Sequence, residues 1–182
     1  NVSYYSTEAI DECTLDWNGT NESMTTTQIG TSGSLTRVYC TATKPVSDGL
    51  SYYYKVYANN SEMTQNTTQR NFTVNQPPTV ALWLPANDTT TGSNEHYFVA
   101  NFTDDLNLSN ASLYVWNTTT LVHTNGETRT NTINQSNKTY TLPNYGNYTW
   151  NYLVYDEEGE AAWAPRNYTI HYVQEMTPVV VW

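Results

Sequence analysis

The feature that most constrains this chain is an internal repeat of about 98 residues. Cys13-Thr14-Leu15-Asp16-Trp17-Asn18-Gly19-Thr20 aligns with Ser112-Leu113-Tyr114-Val115-Trp116-Asn117-Thr118-Thr119, so a Trp-Asn-x-Thr core recurs. In the same order, Tyr52 to Tyr57 aligns with Trp150 to Tyr155, and Arg70-Asn71-Phe72-Thr73-Val74 with Arg166-Asn167-Tyr168-Thr169-Ile170. A fourth block, Pro77 to Trp83, matches Met176 to Trp182. Repeats of this length imply two copies of one supersecondary unit, each with its own core.

The unit is built of strands. Short runs rich in Tyr, Val, Trp and Thr are separated by clusters of Gly, Asn, Asp and Pro about every ten residues, and helical periodicity is absent. Strands are expected near 1–6, 12–17, 36–42, 51–58 and 69–75, then 79–84, 96–103, 111–117, 137–142, 147–155 and 166–173, the cadence of a sandwich. Alternation places Phe72 and Val74, Tyr168, and Phe102 inward, and throws Asn71/Thr73, Asn167/Thr169 and Asn101/Thr103 to solvent. Trp17 and Trp116, Tyr54 and Tyr152, and Val56 and Val154 read as core rather than as a sugar-stacking aromatic platform. The expected fold class is all-β, two tandem Ig-like β-sandwich domains, with 1–76 an incomplete sandwich, 77–173 a complete one and 174–182 a C-terminal strand.

Composition supplies the second constraint. The 182 residues include 22 Asn, 31 Thr and 12 Ser. Shuffled, these frequencies yield about five Asn-x-Ser/Thr triplets. The chain carries fifteen, at Asn1, Asn18, Asn21, Asn59, Asn66, Asn71, Asn87, Asn101, Asn107, Asn110, Asn117, Asn134, Asn137, Asn147 and Asn167. A threefold excess points to selection of the acceptor motif itself, hence to covalent N-glycans and an extracellular location. Cys13 and Cys40, the two cysteines of the chain, then read as one disulfide.

Several function classes are disfavoured. A net charge of -10 with 7 Lys plus Arg, none clustered, lacks the electrostatic footprint of nucleic-acid binding. No apolar run is long enough to span a bilayer, and Asn1-Val2-Ser3-Tyr4 resembles no signal peptide, so a mature or excised segment without membrane insertion is expected. His96, His123 and His171 share no ligand spacing. Asp104-Asp105-Leu106-Asn107 and Asp156-Glu157-Glu158-Gly159-Glu160 are the best candidates for an oxygen-ligand calcium site, against ordinary solvated turns, and neither has EF-hand spacing. No nucleophile elbow, phosphate loop or activated cysteine occurs. Lys55 or Lys138 reads as a solvent-facing strand lysine rather than one side of an isopeptide. No enzyme, cofactor or metal is expected.

The stretch from Pro77 to Thr90, with Asn101 to Asn117 and Tyr148 to Asp156, resembles the tandem Ig-like repeats of archaeal cell-surface glycoproteins, closely over 77–173 and more loosely over 1–76. The resemblance implies sandwiches of about seven strands strung along stalks, adhesins and filaments at the cell surface. In that family the positions of Ala100 and Tyr152 often carry a cysteine pair, so packing must replace that bridge here. No catalytic residues are implied.

The repeat frame is permuted. The second unit begins with a strand at 79–84, whereas the first opens at the equivalent of the following strand, 96–103. The matching copy, Thr177-Pro178-Val179-Val180-Val181-Trp182, lies at the other end of the chain. The expectation is a donor strand that completes the first unit of a neighbouring copy, giving a head-to-tail filament. A continuing tandem array predicts the same pairing in cis. The other functional reading is an adhesin or carbohydrate-binding or cell-binding module of a longer repeat protein, for which the sequon-poor loop 119–136 is the expected contact surface.

Overall fold

The computed structural model describes residues 1–7, 9–60 and 64–175, among which there are strands and turns but no helix. The chain divides into two compact units, Asn1–Val74 and a second beginning at Asn75. Each is an Ig-like β-sandwich.

The second unit holds β9 (Thr79–Leu84), β10 (Thr89–Thr91), β11 (Glu95–Thr103), β12 (Leu108–Asn117), β13 (Leu121–Thr128), β14 (Ile133–Thr141), β15 (Gly146–Asp156), β16 (Ala161–Trp163) and β17 (Tyr168–Tyr172). One sheet runs β14-β11-β9, the other β10-β17-β15-β12-β13 with β16 also on β15. Alternation sends Ala111, Leu113 and Val115 of β12 and Trp150, Tyr152 and Val154 of β15 inward, against Phe98, Ala100 and Phe102 of β11. All nine are 5% exposed or less, and Val80 and Leu82 of β9 close one side. Asn101, between Ala100 and Phe102, is exposed as the alternation requires. The opening strand is split: β9 pairs antiparallel with β11, and β10 pairs parallel with β17 in the opposite sheet.

The first unit holds β1 (Val2–Ser6), β2 (Glu12–Trp17), β3 (Thr20–Ser23), β4 (Thr25–Ser32), β5 (Leu35–Thr41), β6 (Ser51–Asn59), β7 (Thr64–Asn66) and β8 (Arg70–Thr73). Its sheets run β1-β5-β4 and β3-β2-β6-β7, with β8 also on β6. The topology repeats: β1 corresponds to β11, β2 and β3 to β12 and β13, β5 to β14, β6 to β15, and β7 and β8 to β16 and β17. Nothing among the described residues corresponds to β9 or β10. The core is correspondingly small, a cluster of Cys13, Val38, Cys40 and Ala58. The Cys13–Cys40 disulfide, with Cα atoms 6.0 Å apart, ties β2 in one sheet to β5 in the other.

Several expectations need correction. Phe72, read as core, is 39% exposed. Trp17, Tyr54 and Trp116 are partly exposed, while Tyr152, Val56 and Val154 are buried as expected. The two sequence-equivalent tryptophans also face different ways. Trp17 lies opposite Tyr54, but Trp116 lies opposite Thr149 rather than Tyr152, the counterpart of Tyr54. That is a shift of three residues, and an odd shift turns a side chain to the other face. The expected loop 119–136 contains β13 and the start of β14. Also unforeseen were β3, β4, β7, β10 and β16, which are rich in Thr and Ser or too short to show alternation.

Candidate functional site: an uncovered groove in the first unit

The edge of β1 that meets no described strand defines the site. In the second unit β11 is flanked by β14 on one side and β9 on the other. In the first, β1 pairs with β5, Val2 opposite Cys40 and Tyr4 opposite Val38, and its second edge meets no described strand. Backbone N–H and C=O groups on such an edge invite a further strand.

Beside that edge the sandwich opens into a cavity of about 440 Å³, lined by Val2, Leu15, Trp17, Met24, Val46, Tyr54, Val56 and Phe72 among others, with Lys44 and Arg70 at its polar margin. Its position follows from the second unit. There β9 packs across β15 and β16 while pairing with β11. The groove lies between the corresponding elements, with Val2 from β1, Tyr54 and Val56 from β6, and Thr67 just after β7. The half-exposed aromatics are thereby explained. Trp17, Tyr52 and Phe72 stack on one another, with centroids 5.2, 6.0 and 5.5 Å apart, and the Tyr52 hydroxyl accepts from Ser47 N at 2.9 Å. An apolar cleft under an unpaired strand edge fits an extended apolar segment: main-chain bonds supply affinity and alternate side chains fill the cleft.

The proposed donor, Thr177, Pro178, Val179, Val180, Val181 and Trp182, lies outside the described residues. A sandwich that lacks its first strand is expected to expose an apolar groove beside an open edge, and the cleft lies at that place.

The fifteen sequon asparagines distribute over both units and none is buried. Asn1, Asn18, Asn21, Asn66, Asn71, Asn101, Asn107, Asn137, Asn147 and Asn167 are exposed, and Asn59, Asn87, Asn110, Asn117 and Asn134 are partly exposed. At two of them the hydroxyl of the triplet bonds the asparagine oxygen. The Thr119 hydroxyl donates to Asn117 Oδ1 at 3.0 Å, and the Ser112 hydroxyl donates to Asn110 Oδ1 at 3.1 Å. At Asn87, Asn107 and Asn134 the amide nitrogen donates instead to Asp88, Glu157 and the Thr130 carbonyl.

The two acidic turns do meet. Glu157 N donates to the Asn107 carbonyl, and burial followed by the nearby Asp156 and Asp105 charges pushes the Asp104 carboxyl up. Yet Asp156 accepts from the Glu158 and Glu160 amides at 2.9 Å and from Asn75 at 2.6 Å, a turn-closing role. Among the described residues no three His, Cys, Asp or Glu side chains are placed to hold a metal. His96 donates through Nε2 to the Ser93 carbonyl at 2.9 Å, His123 stacks on Tyr140 and His171 meets Asn147. Lys138, expected at the surface, pairs with Glu127 at 2.8 Å and is mostly buried.

Against known proteins, no family model matches the chain, and no curated protein does. Among solved structures, the fibronectin(III)-like modules of Clostridium thermocellum CbhA align over 98% of this chain and 91% of theirs, at 16% identity and a TM-score of 0.41. Dimeric latent PorU from Porphyromonas gingivalis aligns over 94% of this chain and 17% of its own, at 11% identity and a TM-score of 0.41. The FN1-FN3 domains of chicken CNTN1 align over 91% and 57%, at 14% identity and a TM-score of 0.36.

Proposed function

We propose that this chain is a structural, non-catalytic subunit of a heavily N-glycosylated extracellular filament at the cell surface, as in the archaeal surface glycoproteins whose repeats it resembles. Each copy inserts residues 177–182 into the groove of the next. The observation that carries the reading is the coincidence of a β1 edge that meets no described strand and an apolar cleft at the place β9 occupies in the second unit. Segment 177–182 repeats the β9 sequence block, and the alternate residues Val80 and Leu82 of β9 are buried. A donor that follows β9 buries two alternate apolar side chains, about 3–6 kcal/mol gross, and adds main-chain hydrogen bonds along the β1 edge. Donor and acceptor are different surfaces, so the contact is heterologous and propagates. A disulfide between sheets suits an oxidising, extracellular setting.

The test is assembly of the full glycoprotein followed by light scattering and electron microscopy. Filaments are expected from the unaltered chain, with loss on Val181→Asp or on Met24→Arg in the cleft, and an equal mixture of the two variants, which supplies one intact donor and one intact groove, should stop at pairs. Monomers in which Val181 and Trp182 are protected by their own chain's second unit would overturn it. So would a groove filled in cis by a further repeat of a longer chain.

A further inference from the structure

The outer face of the second unit carries an aromatic cluster that the core does not use. Tyr114 and Trp116 of β12 stack at 5.7 Å, and Trp163 of β16 reaches across to both, at 4.9 Å from Tyr114 and 6.0 Å from Trp116. Trp163 remains 43% exposed. Three uncharged rings at the surface leave polarisable faces open, where singly scattered exposed aromatics would call for no explanation.

One sequon is built into the edge of this cluster. Asn151 lies opposite Tyr114 in the sheet, and the next outward residue of β15, Leu153, lies opposite Trp163. The Asn151 amide is only 3% exposed and fully engaged. It accepts from Tyr152 N at 2.7 Å and Ala164 N at 3.1 Å, and donates to the Ala164 carbonyl at 3.2 Å and Asn167 Oδ1 at 2.8 Å. Asn167 is therefore held by its oxygen to a rigid buried amide that borders the aromatic cluster. Asn167 itself is exposed. Thr169, the hydroxyl residue of this sequon, faces outward beside Thr149.

We propose that the N-glycan on Asn167 folds back over the cluster and stacks its first sugars on Trp163 and its neighbours. This deepens the glycosylation reading above and rests on it. A pyranose presents an apolar C–H face to a π-system while its hydroxyls remain in water, so a sugar covers these rings without burying a polar group. The asparagine is oriented in advance, which lowers the ordering cost of the stacked geometry. In a filament subunit such a glycan serves as a covalently attached cover for apolar surface that would otherwise make lateral contacts.

The experiment uses the native glycoprotein and Thr169→Ala, which removes the acceptor motif but keeps Asn167 and its bond to Asn151, alone and combined with Trp163→Ala and Trp163→Tyr. Three measurements are made: occupancy of Asn167 by mass spectrometry, ring-current shifts of sugar protons by NMR, and Tm of the second unit. The expected result is an occupied Asn167 whose sugar protons lie upfield. Thr169→Ala should lower Tm by about 4 °C, less than half as much when Trp163 is alanine, with the Tyr variant retaining most of the effect. An occupied site with unshifted sugar protons and additive Tm changes overturns the stacking and leaves glycosylation standing. An unoccupied Asn167 overturns both at this position. Upfield shifts that appear only when free oligosaccharide is added to enzymatically deglycosylated protein would assign the cluster to an external sugar and overturn the proposal.

Discussion

The Tyr152 hydroxyl donates to the Phe98 carbonyl at 2.9 Å, joining the central strand of one sheet of the second unit to that of the other. It lies 3.0 Å from the Ser136 hydroxyl as well, and the ring packs against Phe102 with centroids 5.4 Å apart. Burial pushes the phenol up to about 12. A buried, hydrogen-bonded aromatic thus ties the two sheets together. Tyr152→Phe keeps the shape but leaves the Phe98 carbonyl and Ser136 without this partner. A loss of about 1–3 kcal/mol is expected, read by thermal or urea unfolding of the second unit. A neutral substitution would show that the hydroxyl is expendable.

The first unit depends on its disulfide. With four buried residues in its central cluster, the 27-residue closure between Cys13 and Cys40 contributes about 3 kcal/mol by restricting the unfolded chain. Cys13→Ser with Cys40→Ser should lower the Tm of the first unit by at least 10 °C and leave the second unchanged. Differential scanning calorimetry resolves the two transitions. Both thiols should resist alkylation until reduced.

The second unit should lose stability in mild acid. Burial lowers the His96 pKa from 6.5, outweighing the Ser93 carbonyl that accepts from its ring, and burial lowers His123 likewise. A histidine with a depressed folded-state pKa binds its proton more readily in the unfolded chain. Its stabilising effect is complete above pH 6.5 and declines as pH falls through the folded-state value. His96→Gln should therefore flatten the fall in Tm between pH 7.5 and pH 5. An unchanged slope would place the acid sensitivity elsewhere.

Asp104 works in the opposite direction. Its carboxyl is raised above 3.8, first by burial and then by Asp156 and Asp105, so its contribution is most favourable below pH 3.8 and is lost as pH rises through the folded-state value. Asp104→Asn retains an oxygen for the Leu106 amide and removes the repulsion. It should raise Tm at pH 7 and have little effect at pH 3. Equal shifts at both would exclude the charge as the cause.

Glycopeptide mapping of natively produced protein should find most of the fifteen sequons occupied, since a bulky hydrophilic sugar needs an exposed asparagine and none of the fifteen is buried. Half or more left bare would remove the basis for a glycan-coated surface.

The repeat blocks and the alternation of residues such as Asn101 and Phe102 determined the strand fold and the outward placement of acceptor sites, because side-chain direction in a strand is a local property with a period of two. The cysteine pair was equally legible from count alone. Where Trp17 and Trp116 point was not: matching blocks do not fix pairing register, and a three-residue difference across β2–β6 and β12–β15 sends one to the groove and the other outside. The cleft beneath β1 and the contact of Asn167 with Asn151 likewise arise between segments distant in the chain, from how strands pair and sheets stack. A pattern read along one strand carries no record of that pairing, so the missing repeat block announced an open edge and groove, while the lining of the groove and the aromatic cluster were decided by the tertiary structure.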